Sequence, residues 1–274
     1  MSNPTVSKTI LITGSTDGIG LETASMLAEQ GHHVLLHGRN AAKLAATRQA
    51  LSERYPGAAI DAYQADLSRF AEVQILADSI KQQHSQLDVL INNAGVYNTP
   101  NTVADNGLDV RFVVNTLAPY LLMQKLADLL GPQARVVNLS SAAQASVNIA
   151  ALNGEQALSD GQAYAQSKLA LTIWSRVIGL NNQQDQRGPL VVAVNPASML
   201  GSKMVKDAFG VAGGDLRVGA DILCRAALSE EFADASGKYF DNDSHRFASP
   251  HPDALDPDKS AAVMAAIEQL TLVL

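Results

Sequence analysis

The chain of 274 residues has one cysteine, Cys224. An intrachain disulfide is thereby excluded, and because Cys224 lies in an apolar helical stretch with no evident histidine partner, it reads as a core residue and not a nucleophile. Positive charge is also scarce. With 20 Lys+Arg against 27 Asp+Glu the formal net charge is −7, so the surface repels the polyphosphate backbones that basic stripes bind, and a nucleic-acid partner is not expected. Charged residues of either sign make up 17% while 47% are hydrophobic, which excludes disordered and fibrous classes. Long apolar runs are missing as well. Stretches such as Ala261 to Ile267 fall far short of the ~20 residues that span a bilayer. Ile10-Leu11-Ile12 ends at Thr13-Gly14, too soon for a secretory apolar region, so a cytoplasmic protein is expected.

What is present is alternation. Short apolar runs near Thr9–Thr13, His33–His37, Ala59–Ala65, Leu87–Asn92, Arg135–Leu139, Leu190–Asn195 and Lys238–Phe240 are separated by longer segments of helical period. The last of those helices spans Asp258–Leu270, and another covers Leu108–Leu130. This pattern predicts an α/β fold, a parallel sheet of about seven strands with helices on both faces, in a single domain over residues 1–274. No linker, repeat or low-complexity segment divides it.

The first strand runs into Thr13-Gly14-Ser15-Thr16-Asp17-Gly18-Ile19-Gly20 and then a helix. Glycines between a strand and a helix start allow a tight turn, close approach to a pyrophosphate and close helix–sheet packing, though a purely structural turn would look similar. Where the second strand ends, an Asp or Glu would bind the ribose 2′-hydroxyl of NAD; the chain has His37-Gly38-Arg39-Asn40 instead. A guanidinium there suits the 2′-phosphate of NADP, unless Arg39 is merely an exposed strand-end cation. Asp66-Leu67 and Asn92-Asn93-Ala94-Gly95 follow the third and fourth strands. Both lie where open α/β sheets bind ligands; Asp66 either accepts from an adenine amino group or caps the next helix.

Tyr164 and Lys168 stand four apart on a helix and so share a face. A phenol ordinarily titrates at about 10, and holding it near neutrality takes ~4 kcal/mol of preferential phenolate stabilisation, which a neighbouring ammonium helps to supply. Alone, such a pair is often just exposed. Ser140-Ser141 ends the fifth strand on the same rim, where a hydroxyl can meet a substrate carbonyl. Pro119 follows Asn115 by four residues in a helical pattern, so a kink is expected there, freeing the Asn115 carbonyl for a water or serving architecture alone.

In this order, the glycine-rich turn, Asn-Asn-Ala-Gly, Asn115, Ser141, Tyr-x-x-x-Lys and Pro196 after the sixth strand resemble the short-chain dehydrogenase/reductase superfamily over nearly the whole chain. The resemblance implies a doubly wound (Rossmann) fold and a catalytic tetrad: Tyr164 as acid/base, Lys168 binding ribose and lowering the tyrosine, Ser141 polarising the carbonyl, Asn115 holding a relay water. It also implies that Thr13 to Thr16, Gly18, Ile19, Gly20, Arg39, Asp66, Leu67, Asn93, Ala94, Gly95, Pro196 and Ser202 contact NADP. Two features depart from the usual pattern. Pro196-Ala197 replaces Pro-Gly, and Ser202 is displaced by one position from the usual Thr. The 23 positions from Ser141 to Tyr164 resemble the retinol-dehydrogenase-like branch.

The expected activity is NADP-dependent interconversion of a carbonyl and an alcohol of small-molecule size. A cofactor-binding sensor or scaffold without turnover, and a lyase or epimerase on the same fold, are the alternatives. Residues 198–214 carry Met199, Leu200, Met204, Val205 and Phe209 among glycines; they read either as a substrate lid for an apolar substrate or as core beneath a rigid loop. The stripe Leu169, Ile173, Val177 and Leu180 serves either the core or a homo-oligomer interface. No metal site is expected, since His32, His33 and His37 crowd one helix-to-strand turn.

Overall fold

Ile10, Leu11 and Ile12 are consecutive and all fully buried. A strand apolar on both faces needs cover on both, and a computed structural model, which describes residues 6–272 apart from the side chain of Phe209, provides it. The strands are β1 (Thr9–Ile12), β2 (His33–Gly38), β3 (Ile60–Gln64), β4 (Val89–Asn92), β5 (Arg135–Leu139), β6 (Leu190–Asn195), β7 (Tyr239–Asp241) and β8 (Arg246–Ala248). They form one sheet in the order β3-β2-β1-β4-β5-β6-β7-β8, parallel except for the β7–β8 pair. Order reverses between β1 and β4, and the carboxyl ends there open a crevice.

The helices are α1 (Gly18–Glu29), α2 (Ala41–Arg54), α3 (Phe70–Gln83), α4 (Val110–Phe112), α5 (Ala118–Lys125), α6 (Ile149–Leu152), α7 (Asp160–Asp185), α8 (Lys203–Phe209), α9 (Leu216–Leu228) and α10 (Pro257–Thr271). On one face Leu11, Leu35, Leu90 and Val136 pack against Leu76 of α3, Leu121 of α5, Trp174 of α7 and Ile267 of α10. On the other, Ile10, Ile12, Val34 and Ile91 pack against Leu27 of α1, Leu51 of α2 and Leu223 of α9. Cys224 is buried in this second cluster, its thiol pushed up to about 12 by burial, as its core assignment requires. None of the helices among the described residues is long and apolar enough to cross a membrane.

Two elements differ from expectation. The eighth strand, β8, is a three-residue segment that pairs antiparallel with β7 across a tight turn. The helix expected over Leu108–Leu130 with a kink at Pro119 is instead divided into α4, a π-helical turn at Val113–Leu117, α5 and a 3₁₀ turn at Ala127–Leu129. Pro119 explains the widening. It sits in the first turn of α5, where its missing N–H costs least, and the Ala118 N–H reaches five residues back to the Val113 carbonyl. Of the α7 stripe, Leu169 and Ile173 are core residues, whereas Leu180 is exposed.

Arg111 joins the start of α4 to the start of α7. Its side chain is 1% exposed, donates to both Asp109 oxygens at 2.7 and 2.5 Å, and donates to Asp160. Removing the cation leaves the Asp109 carboxylate largely buried and unpaired. Arg111→Ala is therefore expected to lower the unfolding free energy by about 3 kcal/mol in urea denaturation; a loss below 1 kcal/mol would mean that this joint carries little of the fold.

Candidate active site

Every strand of the parallel sheet delivers its carboxyl end to the same rim, and there the polar residues gather. Thr13 Oγ1 accepts from the Asn93 and Ala94 N–H groups, both at 3.0 Å, while Asn93 Nδ2 donates to the Thr13 and Gly14 carbonyls at 2.8 and 3.0 Å. Gly20 makes this possible. A Cβ there would stand 2.3 Å from Asn93 Nδ2, so the Asn93 side chain occupies the space that glycine leaves. Ser15 is fully buried and exchanges hydrogen bonds with the His37 backbone, and Thr16 rests against Gly38. Of the expected cofactor contacts, the Thr13, Ser15 and Asn93 side chains are thus turned inward, tying the glycine turn to β2 and β4.

His37 completes the tie. Gly14 N–H donates to its Nδ1 at 3.1 Å, which leaves the proton on Nε2, 3.1 Å from the Ala65 carbonyl; burial pushes its pKa down to about 4 and keeps it neutral. At the next rim position Asp66 Oδ1 accepts from the Ser68 backbone N–H at 2.9 Å and hydroxyl at 2.7 Å. The cap of α3 falls to Arg69 instead. Asp17, the N-cap of α1, accepts from Gly18 N–H and pairs with Lys43 at 2.5 Å, the Lys43 contact foremost in lowering its carboxyl. Lys43 therefore stands near Gly18, a cation that the sequence motifs did not single out although it lies four residues beyond Arg39.

The Asn115 side chain is fully engaged: its Oδ1 accepts from Val96 N–H at 2.8 Å, and its Nδ2 donates to the Val96 carbonyl and Ser167 Oγ, both at 3.0 Å. Its amide fixes the loop after β4, leaving the main chain of the π-turn for any relay. Lys168 is buried and donates to the Leu139 carbonyl at 2.7 Å, with Nζ 5.7 Å from the centre of the Tyr164 ring. Burial lowers its pKa from 10.5 to about 8. The Tyr164 phenol is raised, chiefly by burial and against a hydrogen bond with Ser141. Tyr97 was not foreseen. Its ring lies against Tyr164 at a tilt of 51° with centroids 4.9 Å apart, although its place two residues after Asn93-Ala94-Gly95 was a visible cue.

After β6, Ala197 stands at φ 113° and Met199 at φ 54°. The first value shows why glycine is usual after Pro196, since a Cβ is strained there. Ser202 caps α8 and approaches the space beside Gly18. Leu200 is core, packed against the Gly219 backbone and Ile19, while Met199 is 44% exposed and Met204 faces Gly95. Phe209's side chain lies outside the described residues. The segment's two ends are held together by Gly201 N–H to Gly214 carbonyl at 2.7 Å and Gly214 N–H to Met199 carbonyl at 2.8 Å.

Lys168 shapes stability as well as the site. Its charged form is disfavoured in the fold, so the cost is full below pH 8 and fades between 8 and 10.5, where the unfolded chain also loses the proton. Lys168→Met is expected to raise the unfolding free energy at pH 7 by roughly 2 kcal/mol, with the gain shrinking toward pH 10. Chemical denaturation at both pH values measures this; a loss at pH 7 would show that the hydrogen bond to Leu139 outweighs desolvation.

A family profile described as short chain dehydrogenase matches residues 8–210. "Short-chain dehydrogenase TIC 32 A, chloroplastic" of Brassica napus is 31% identical over 85% of this chain and 79% of its own length. Human retinol dehydrogenase 13 is 29% identical over 96% of this chain and 84% of its own, in keeping with the retinol-dehydrogenase-like spacing. A Shigella flexneri structure complexed with NADP is 27% identical, with a TM-score of 0.67 over 86% of this chain and 97% of its own. Because the matched profile runs from β1 through β6, the chain belongs to the short-chain dehydrogenase family of oxidoreductases.

Proposed function

We propose that the protein is an NADP-dependent oxidoreductase that interconverts a carbonyl and an alcohol on an apolar small molecule, with Tyr164 as the acid/base. The convergence of Tyr164 with Ser141 and Lys168 at the carboxyl ends of β5 and α7's first turns carries this reading. The residues present fit the cofactor. A Cβ on Gly18 would meet only Ser202, at 3.8 Å, so the turn leaves open space that suits a pyrophosphate at the start of α1. Gly14, Thr16, Ile19 and Gly20 would flank it. Arg39 is exposed and its side chain has no partner among the described residues, no carboxylate stands beside Gly38, and Lys43 lies close by; these features favour a 2′-phosphate.

Asp66 and Leu67 would border the adenine, and Asn93, Ala94 and Gly95 the nicotinamide ribose with Tyr164 and Lys168. Pro196 and Ser202 would lie toward the carboxamide. Bound NADP(H) supplies hydride transfer at the carbonyl carbon. Tyr164 supplies the proton. Its raised phenol is protonated at neutral pH and so is in the form that donates to a carbonyl oxygen, while Ser141 holds that oxygen and Lys168 supplies a nearby positive charge that eases proton release. The Met204 side chain facing Gly95 offers an apolar cover, and two relatives are named for apolar alcohols, retinol dehydrogenase 13 and polyprenol dehydrogenase. In this reading residues 198–214 act as the substrate lid.

Tyr164→Phe is expected to keep the fold and NADPH binding but to lower kcat by about 10² to 10⁴, read from NADPH absorbance with a panel of ketones and aldehydes. Near-normal turnover would assign the proton to another group. Arg39→Ala should weaken NADPH by roughly 10- to 150-fold and leave NADH little changed, and equal loss for both cofactors would remove the 2′-phosphate assignment.

A further inference from the structure

We propose that His33, Asp61 and His84 form a binding site for a borderline divalent metal ion, Zn²⁺ foremost, at the edge of the sheet opposite the catalytic rim. The expectation of no metal site rested on neighbouring histidines that cannot converge with one another. The fold supplies His33 with different partners, from two distant elements.

Sheet register explains how they meet. Strands β2 and β3 pair in parallel with Leu35 opposite Asp61 and His37 opposite Tyr63, so the two-residue period puts His33, Leu35 and Asp61 on one face. Helix α3 covers that face, since Leu35 and Tyr63 share a core cluster with Val73, Leu76 and Ile80. His84 is the residue at which α3 ends, its N–H still bonded to the Ile80 carbonyl, and this stop brings its ring over the beginning of β2. The His33 and His84 rings lie 5.3 Å apart between centroids at 64°.

The donor atoms point at one another. His33 Nε2 is 2.7 Å and His84 Nε2 3.8 Å from the same Asp61 oxygen, Oδ2, and all three donors lie within 4.8 Å of each other. Tetrahedral Zn²⁺ with bonds of about 2.0 Å asks for donors about 3.3 Å apart, so adjustments of roughly 1 Å close the set. A fourth position is left for water. Side-chain exposures of 25%, 36% and 10% for His33, Asp61 and His84 leave an entry path without loosening the group. Tyr63 hydroxyl, 2.7 Å from His84 Nε2, steadies that ring until an ion replaces the contact.

Two imidazoles with one carboxylate suit Zn²⁺ or Co²⁺, whereas Mg²⁺ and Ca²⁺ prefer oxygen donors. The amino ends of β2 and β3 hold this group while Arg39 and Asp66 follow their carboxyl ends. A bound ion would therefore clip the edge strand β3 to β2 and α3, stabilising the fold without entering the reaction.

Equilibrium dialysis of the full chain, free of any histidine tag, against Zn²⁺ is expected to give one ion per chain. His33→Ala and His84→Ala should each weaken it at least about tenfold, and Mg²⁺ should not compete. At a hundredfold excess over Kd, Zn²⁺ should raise Tm by about 5 to 10 °C. Co²⁺ should give the visible bands of a four-coordinate N/O site. In the unsubstituted protein, Zn²⁺ should shield His33 and His84, but not exposed His245, from diethyl pyrocarbonate, a measurement that stands even where a variant fails to fold. Absence of stoichiometric binding, an affinity in both variants equal to that of the unsubstituted protein, or modification of His33 and His84 unaffected by Zn²⁺ would overturn the site.

Discussion

The distance between the carboxyl ends of β1 and β4 is the constraint on which the site depends. Thr13 and Gly14 meet Asn93 and Ala94 there through four hydrogen bonds, across the point where strand order reverses. The loop after β4 then serves as a datum for everything beyond it. Asn115 grips Val96 from the π-turn side, and Lys168 Nζ comes within 3.6 Å of where a Cβ of Gly95 would stand. A glycine turn, a widened helix and a catalytic helix from remote parts of the chain are thus referred to one short loop.

Burial works on this rim in two directions. It raises the Tyr164 phenol and lowers the Lys168 ammonium, so the two groups are driven toward their neutral forms. Below that lowered pKa, Lys168 carries a charge that its burial disfavours, at a cost to the fold that holds it. Burial also keeps His37 neutral and fixes its proton on the nitrogen facing Ala65, so a buried histidine acts here as a rigid spacer between the glycine turn and β3.

The doubly wound architecture was legible because its signals are local: apolar strands, helical periods, and glycines where a strand meets a helix. The Tyr164–Lys168 pair was legible for the same reason, four positions on one helix. What escaped depends on distant partners. Strand β8 is three residues long and exists through pairing with β7, although Asn242 and Asp243 mark its turn. Pro119 announced a disturbance, but whether a helix kinks or widens is decided by packing around it. The Thr13, Ser15 and Asn93 side chains bond backbone groups from remote parts of the chain, partnerships that no motif encodes. The position of Tyr97 after Asn93-Ala94-Gly95 was a cue, but its contact with Tyr164 exists only because α7 folds against the loop after β4.

The two ends of the loop after β6 meet at a bridge. Leu200 pairs with Gly214, and Leu200 itself is locked into the core against Ile19 and Gly219. Between its two ends the stretch meets the rim through Ser202 beside Gly18 and Met204 beside Gly95. Neither core cluster draws on a residue of that stretch, so lengthening or replacing it would remodel the surface over the rim while leaving both clusters their own side chains.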